Sequence, residues 1–154
     1  MIASVTGTVG QAGLDRVTVV VGGVGLLVHT TPAAAAASHR GDEVTLATSL
    51  VVREDSLTLF GFLTTDERDM FETVQSVSGV GPRIALAMLS VMGPDDLAAA
   101  LSAGDTKALT TVPGIGVKSA QRLVLELKDK VAGMPRPTTA TTPVDVTFEV
   151  SIST

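Results

Sequence analysis

Residues 77–85, Val-Ser-Gly-Val-Gly-Pro-Arg-Ile-Ala, align without a gap with residues 112–120, Val-Pro-Gly-Ile-Gly-Val-Lys-Ser-Ala, 35 positions further on. Both read apolar, any, Gly, apolar, Gly, any, basic, any, Ala. Each copy is flanked by helical periodicity. Before the first, Met70, Phe71, Val74 and Val77 recur at helical spacing, with Thr65 as the expected N-cap and Asp66-Glu67 in the first turn. Helices are predicted over residues 82–91, 94–101, 105–109 and 117–131. The last carries an apolar stripe of Leu123, Leu127 and Val131, flanked by Leu125 and Lys128.

These residue types suit one kind of chemistry. Gly79 and Gly114 permit positive φ in a tight reversal. Gly81 and Gly116 lack a Cβ, so a phosphate can approach the backbone where the next helix starts. The first amides of that helix lack internal partners, and the helix dipole adds to their attraction for an anion. Arg83 and Lys118 stand two residues beyond the second glycine and add a direct charge. Ser119 follows Lys118, and Arg122 falls one turn later on the same face. Lys107 is a further candidate from the turn before the second copy. Val80 and Ile115 point between the helices. This is the helix-hairpin-helix signature, which grips the DNA backbone and carries little sequence information. A merely structural turn accounts for one Gly-x-Gly; two copies matched at apolar, basic and small positions argue against it. Gly116-Val117-Lys118-Ser119 is not a phosphate loop, because Val117 separates Gly from Lys and no strand precedes it.

Outward from the repeat, residues 1–63 change period. Residues 2–9 alternate loosely, 10–13 read as a turn, 16–21 are β-branched, and 26–30 resume a strand. Residues 32–38 suggest a short helix with proline early. Residues 42–53 and 56–62 form a hairpin around Glu54-Asp55. Five short strands with one small helix after the third suggest a Greek-key barrel of the OB type. Phe60 and Phe62 are expected in its core. The fold class is therefore α+β: an OB-fold barrel (residues 1–63), a tandem helix-hairpin-helix domain (64–132), and a Pro/Thr-rich linker and tail (133–154).

The net charge of −5 is spread thinly, and each of the three segments is slightly acidic. Phosphate binding must then rest on backbone amides and a few placed cations, with strong salt dependence. Cysteine is absent, which excludes disulfides, zinc-thiolate sites and cysteine nucleophiles and fits a cytoplasmic protein. The N-terminus lacks a basic n-region, so no signal peptide is expected, and no apolar run of about 18 residues predicts a membrane span. His29 and His39 stand alone and are expected to be structural or solvated; neither a metal site nor a cofactor is expected. A glycosylase or nuclease would need a catalytic Asp or Lys beside a base pocket, or a carboxylate cluster for magnesium; neither is legible. A single-strand-binding barrel would need stacking aromatics, yet the chain has four Phe and no Tyr or Trp.

Two further segments point to a family. Residues 20–29, VVGGVGLLVH, and residues 50–62, LVVREDSLTLFGF, resemble the bacterial RuvA family of Holliday-junction-binding proteins. So does the order of barrel, GVGPR, GIGVK and closing LVLELKDKV, covering residues 1 to 132. The resemblance implies a non-catalytic, homotetrameric DNA-binding subunit acting in recombination and repair. One or two tetramers hold a four-way junction open and flat. The tetramer loads the RuvB ATPase, in which the ATP-driven helicase activity resides, and RuvC then resolves the junction. It also implies that Glu54 and Asp55 form an acidic pin, whose carboxylates repel phosphates at the crossing. Three departures stand out. Val117 occupies a position often basic in the family, the helical region is weakly basic, and no third domain is recognisable after Ala132. For a chain ending at Thr154, the expectation is junction binding without motor coupling.

Overall fold

The computed structural model describes residues 1–132. The linker and tail read from residues 133–154 lie outside the described residues. Strands β1 (Ser4–Ala12), β2 (Arg16–Val21), β3 (Val24–His29), β4 (Glu43–Arg53) and β5 (Ser56–Phe62) close a barrel in the order β1-β2-β3-β5-β4. All pairings are antiparallel except β3 with β5. Helix α1 (Pro32–Ala37) follows the third strand, capped by Thr31, and inserts Ala35 into the barrel interior. That interior holds Val5, Val9, Val17, Val19, Val28, Leu46 and Leu59. Their alternation with exposed residues is the period-2 pattern of a half-buried strand. The architecture expected from sequence is thus the one observed.

One boundary moves. The glycine at position 10 does not begin a turn; β1 continues through it to Ala12, with a register shift between Val9 and Gln11. Such a bulge accommodates a glycine and sharpens the strand's bend toward barrel closure.

Helices α2 (Thr65–Val74), α3 (Pro82–Val91), α4 (Pro94–Ala103), α5 (Thr106–Leu109) and α6 (Val117–Ala132) form the second unit. Thr64, not Thr65, caps α2, its hydroxyl accepting from the Glu67 amide at 3.2 Å. Both threonines satisfy the capping rule; only the backbone decides, because Thr64 is extended and Thr65 already helical. The α6 stripe is as read, with Leu123, Leu127 and Val131 buried and Leu125 exposed.

A larger correction concerns Phe60 and Phe62. They do not fill the barrel but belong to the helical core. Their rings each lie 5.0 Å from that of Phe71 on α2. The end of β5 therefore plugs the helical unit, and aromatic burial joins the two regions. The Ser49 hydroxyl on β4 donates to the Glu72 carboxylate at 2.9 Å across the same joint. Arg68 donates to the Ala3 carbonyl at 3.0 Å.

Candidate nucleic-acid interface

The two hairpins repeat the same backbone hydrogen bonds at equivalent positions. In the first, Val77 N donates to Val74 O at 3.3 Å, Val80 N to Val77 O at 3.1 Å, and Ala85 N to Gly81 O at 3.0 Å. In the second, Val112 N donates to Leu109 O at 3.2 Å, Ile115 N to Val112 O at 3.1 Å, and Ala120 N to Gly116 O at 2.9 Å. Gly79 and Gly114 turn at φ of 89° and 92°, the left-handed conformation that a side chain would strain. Val80 and Ile115 are buried between the helices, as are Ala85 and Ala120 one turn into α3 and α6.

Gly81 and Gly116 need a different explanation. A Cβ at either would meet nothing within 4 Å. By contrast, a Cβ at Gly7 would collide with the Val20 carbonyl, and one at Gly61 would lie 2.5 Å from Val28 Cγ1. The fold itself demands glycine at those barrel positions. At Gly81 and Gly116 the space lies outside the chain, which suits the close approach of a ligand.

The helix N-termini divide in the same way. Thr64 caps α2, which also carries Asp66 and Glu67 in its first turn. Asp95 and Asp96 occupy the first turn of α4, and Asp105 caps α5. These acids neutralise the partial positive charge of their own helices. Neither α3 nor α6 has an acid in its first turn, and Gly81 provides α3 with no side-chain cap. The two Gly-x-Gly helices thus leave their amides open, with Arg83 and Lys118 exposed beside them. The two motifs also meet in space, since a Cβ on Gly114 would lie 3.6 Å from Ile84 Cγ1.

The other candidates fall out as follows. Ser119 is exposed next to Lys118. Arg122 is exposed but lies 3.6 Å from Glu126, a surface pair too weak to withhold it from a phosphate. Lys107 is exposed on α5. Val117 stands 62% exposed at the mouth of the second hairpin, an apolar side chain where a cation would serve an anion better.

Glu54 and Asp55 form the two-residue tip of the β4–β5 hairpin, whose ladder ends at the Arg53–Ser56 pair. Both carboxylates are exposed. Val52 and Leu57 pair directly below the tip, 59% and 71% exposed. His39 is exposed, 3.5 Å from Asp42. His29 packs its ring 5.7 Å from Phe60. Burial, then the guanidiniums of Arg16 and Arg83, hold its pKa below the ordinary histidine value, with Asp15 opposing them. The sequence reading passed over Arg53. Strand alternation places it on the face of β4–β5 that carries Ser56, Thr58 and Phe60, but its proximity to Arg83 depends on tertiary packing. Among the described residues, no group of three or more His, Asp or Glu is placed to hold a metal ion, and no single helix is long and apolar enough to cross a membrane.

Comparison with known proteins matches two regions of the chain separately. Residues 1–61 match the family described as RuvA N terminal domain, and residues 71–129 match the SAM-like helix-hairpin-helix tandem. The chain is similar to proteins named Holliday junction branch migration complex subunit RuvA. That of Thermobifida fusca is 60% identical over 143 residues, covering 93% of this chain and 70% of the relative. That of Streptomyces coelicolor is 56% identical over 131 residues, covering 85% and 65%. The Nocardia farcinica protein is 49% identical over 152 residues, covering 94% and 76%. The chain thus spans about two thirds to three quarters of the length of these relatives. With the closed barrel and tandem hairpins in the same order, the chain belongs to the RuvA family.

Proposed function

We propose that the chain is a structure-specific DNA-binding subunit that binds four-way junctions and holds them open for branch migration in recombination and repair. The observation that carries this reading is the pairing of two open, cation-flanked helix N-termini with an acidic hairpin tip. The open N-termini, with Gly79, Gly81 and Arg83 in one hairpin and Gly114, Gly116, Lys118, Ser119 and Arg122 in the other, take duplex backbone without regard to sequence. Glu54 and Asp55 repel the same backbone at the crossing, so shape rather than sequence selects the site.

The reading extends to assembly. A homotetramer brings four acidic tips to one axis and covers Val52 and Leu57, which a lone chain leaves in water. The few exposed cations of each otherwise acidic chain are then presented four times over. The domain boundaries proposed are 1–63 and 64–132. The chain does no chemistry itself in this reading: the partners are a RuvB-type ATPase that moves the junction and a RuvC-type nuclease that cuts it, all in the cytoplasm.

Mobility shifts with a four-way junction and a linear duplex of equal length test the reading, with light scattering for the tetramer. The junction should bind roughly 1,000-fold more tightly, the low end of the range by which specific sites exceed non-specific DNA. Equal affinity would sink the proposal. Glu54→Gln with Asp55→Asn should retain junction binding or tighten it a few-fold, since like-charge repulsion is removed. A large loss of affinity would contradict the role of the tip.

A further inference from the structure

Between the β4–β5 hairpin and the start of α3 lies a cleft lined by Arg53, Ser56, Thr58, Phe60, Pro82 and Arg83. Arg53 comes from the barrel and Arg83 from the first hairpin. Neither guanidinium has a carboxylate within ion-pair distance among the described residues. The Ser56 and Thr58 hydroxyls likewise make no hydrogen bond to another described residue. The cleft therefore presents two free cations and two free hydroxyls on one wall and its opposite. Its floor is firm, because Phe60 is buried against Phe71 in the helical core.

The surrounding charges give this cleft a direction. Within three consecutive residues the sign changes from Arg53 to Glu54-Asp55. An anion near the tip is repelled by the carboxylates and attracted to the arginine just below them. The positive potential of this corner also reaches His29, whose protonation both Arg16 and Arg83 oppose.

We propose that this cleft takes one phosphodiester of a DNA strand diverted at the crossing point, held by Arg53 together with Arg83 and by the Ser56 and Thr58 hydroxyls. This rests on the junction-binding reading above and adds the barrel to the DNA contact surface. The tip turns the strand away and the cleft receives it, so the barrel both repels and captures. A continuous duplex gripped by the two hairpins has no strand end or bend entering the cleft, so the contact belongs to junctions.

The test is Arg53→Gln, with Ser56→Ala/Thr58→Val as a second variant, measured against four-way junctions and linear duplex over a salt series. Arg53 is exposed, so the substitution leaves the core untouched, and an unchanged melting temperature verifies this. Arg53→Gln should weaken junction binding roughly 10-fold and lower the log–log salt slope by about one for each subunit that contacts the junction, with duplex affinity within about two-fold. The hydroxyl variant should lose a few-fold on junctions alone. Unchanged junction affinity and slope overturn the proposal, as does an equal loss on both DNAs. Neutral methylphosphonate linkages placed singly around the crossing give an independent readout. One position should weaken the wild type and leave Arg53→Gln unaffected; additive losses at every position overturn the contact. A wild type without junction preference removes the parent reading instead, and the methylphosphonate result still decides whether Arg53 meets a phosphodiester.

Discussion

The two hairpins share one backbone and differ in what surrounds it. Their turn glycines, buried apolar plugs and hydrogen bonds correspond position by position. Their settings do not. Helix α3 begins with Pro82, which has no N–H, so its first turn offers the Arg83 and Ile84 amides. Helix α6 begins with Val117 and adds the amides of Lys118 and Ser119. Arg83 faces barrel residues across a cleft. Lys118 is exposed at the start of α6, a helix that packs chiefly on α4 and α5. The lesson is that the repeated motif sets an open helix start beside a glycine, while the non-repeated neighbourhood differs between the two copies. The first hairpin shares a cleft with the barrel; the second packs against the first through Gly114 and Ile84.

The largest effect should come from cutting that tie. Phe71→Ala removes a fully buried ring that packs on Phe60 and Phe62. A loss of about 3–5 kcal/mol is expected in denaturant unfolding. Folded protein that remains should lose junction preference more than duplex affinity. If preference persists intact, the first hairpin does not depend on the aromatic joint.

Next come the glycines that face open space. Gly116→Leu should weaken all DNA binding roughly 30-fold, the scale of one or two charge-assisted hydrogen bonds. Gly81→Leu should cost less on duplex, because Pro82 has already removed one amide there. Neither change touches packing, so melting temperatures should stay within a few degrees. Equal losses on duplex would erase the proposed difference between the hairpins.

Val117→Lys sharpens the comparison by adding a cation to the second hairpin alone. Affinity for duplex and junction should rise a few-fold together, with the salt slope steeper by about one for each contacting subunit. No change in slope would show that position 117 lies off the DNA path.

The smallest effect is a pH dependence at the barrel end of the first hairpin. Burial and the nearby Arg16 and Arg83 depress the His29 pKa in the folded chain. The unfolded state then binds the proton more readily, so this contribution to stability is present above about pH 6.5 and is lost as pH falls through the lower folded value. A modest fall in melting temperature on acidification should be absent in His29→Gln. If the variant falls equally, other groups cause it.

Much of this was legible in the residues themselves. Period-2 alternation marks the barrel strands because each buries one face, and Pro82 and Pro94 mark helix starts because proline fits only there. The repeat at residues 77–85 and 112–120 exposes both hairpins because a reversal beside an open helix end tolerates few residue types. Local signals were weaker where two neighbours satisfy the same rule, as Thr64 and Thr65 do at the α2 cap. The continuation of β1 through Gly10 was hidden because glycine serves both turns and bulges.

The sequence by itself thus determined the element types, the tandem Gly-x-Gly turns and the acidic hairpin tip, all of which depend on contacts within a few residues. Only the tertiary structure decided where Phe60 and Phe62 go. Alternation tells which face of β5 they occupy, not whether barrel or helices cover it. The same holds for the cleft, where Arg53 and Arg83 are 30 positions apart in the chain and come together only through that aromatic joint. Local chemistry is written in spacing, but the pairing of one region's charge with another's depends on which apolar surfaces find each other on folding.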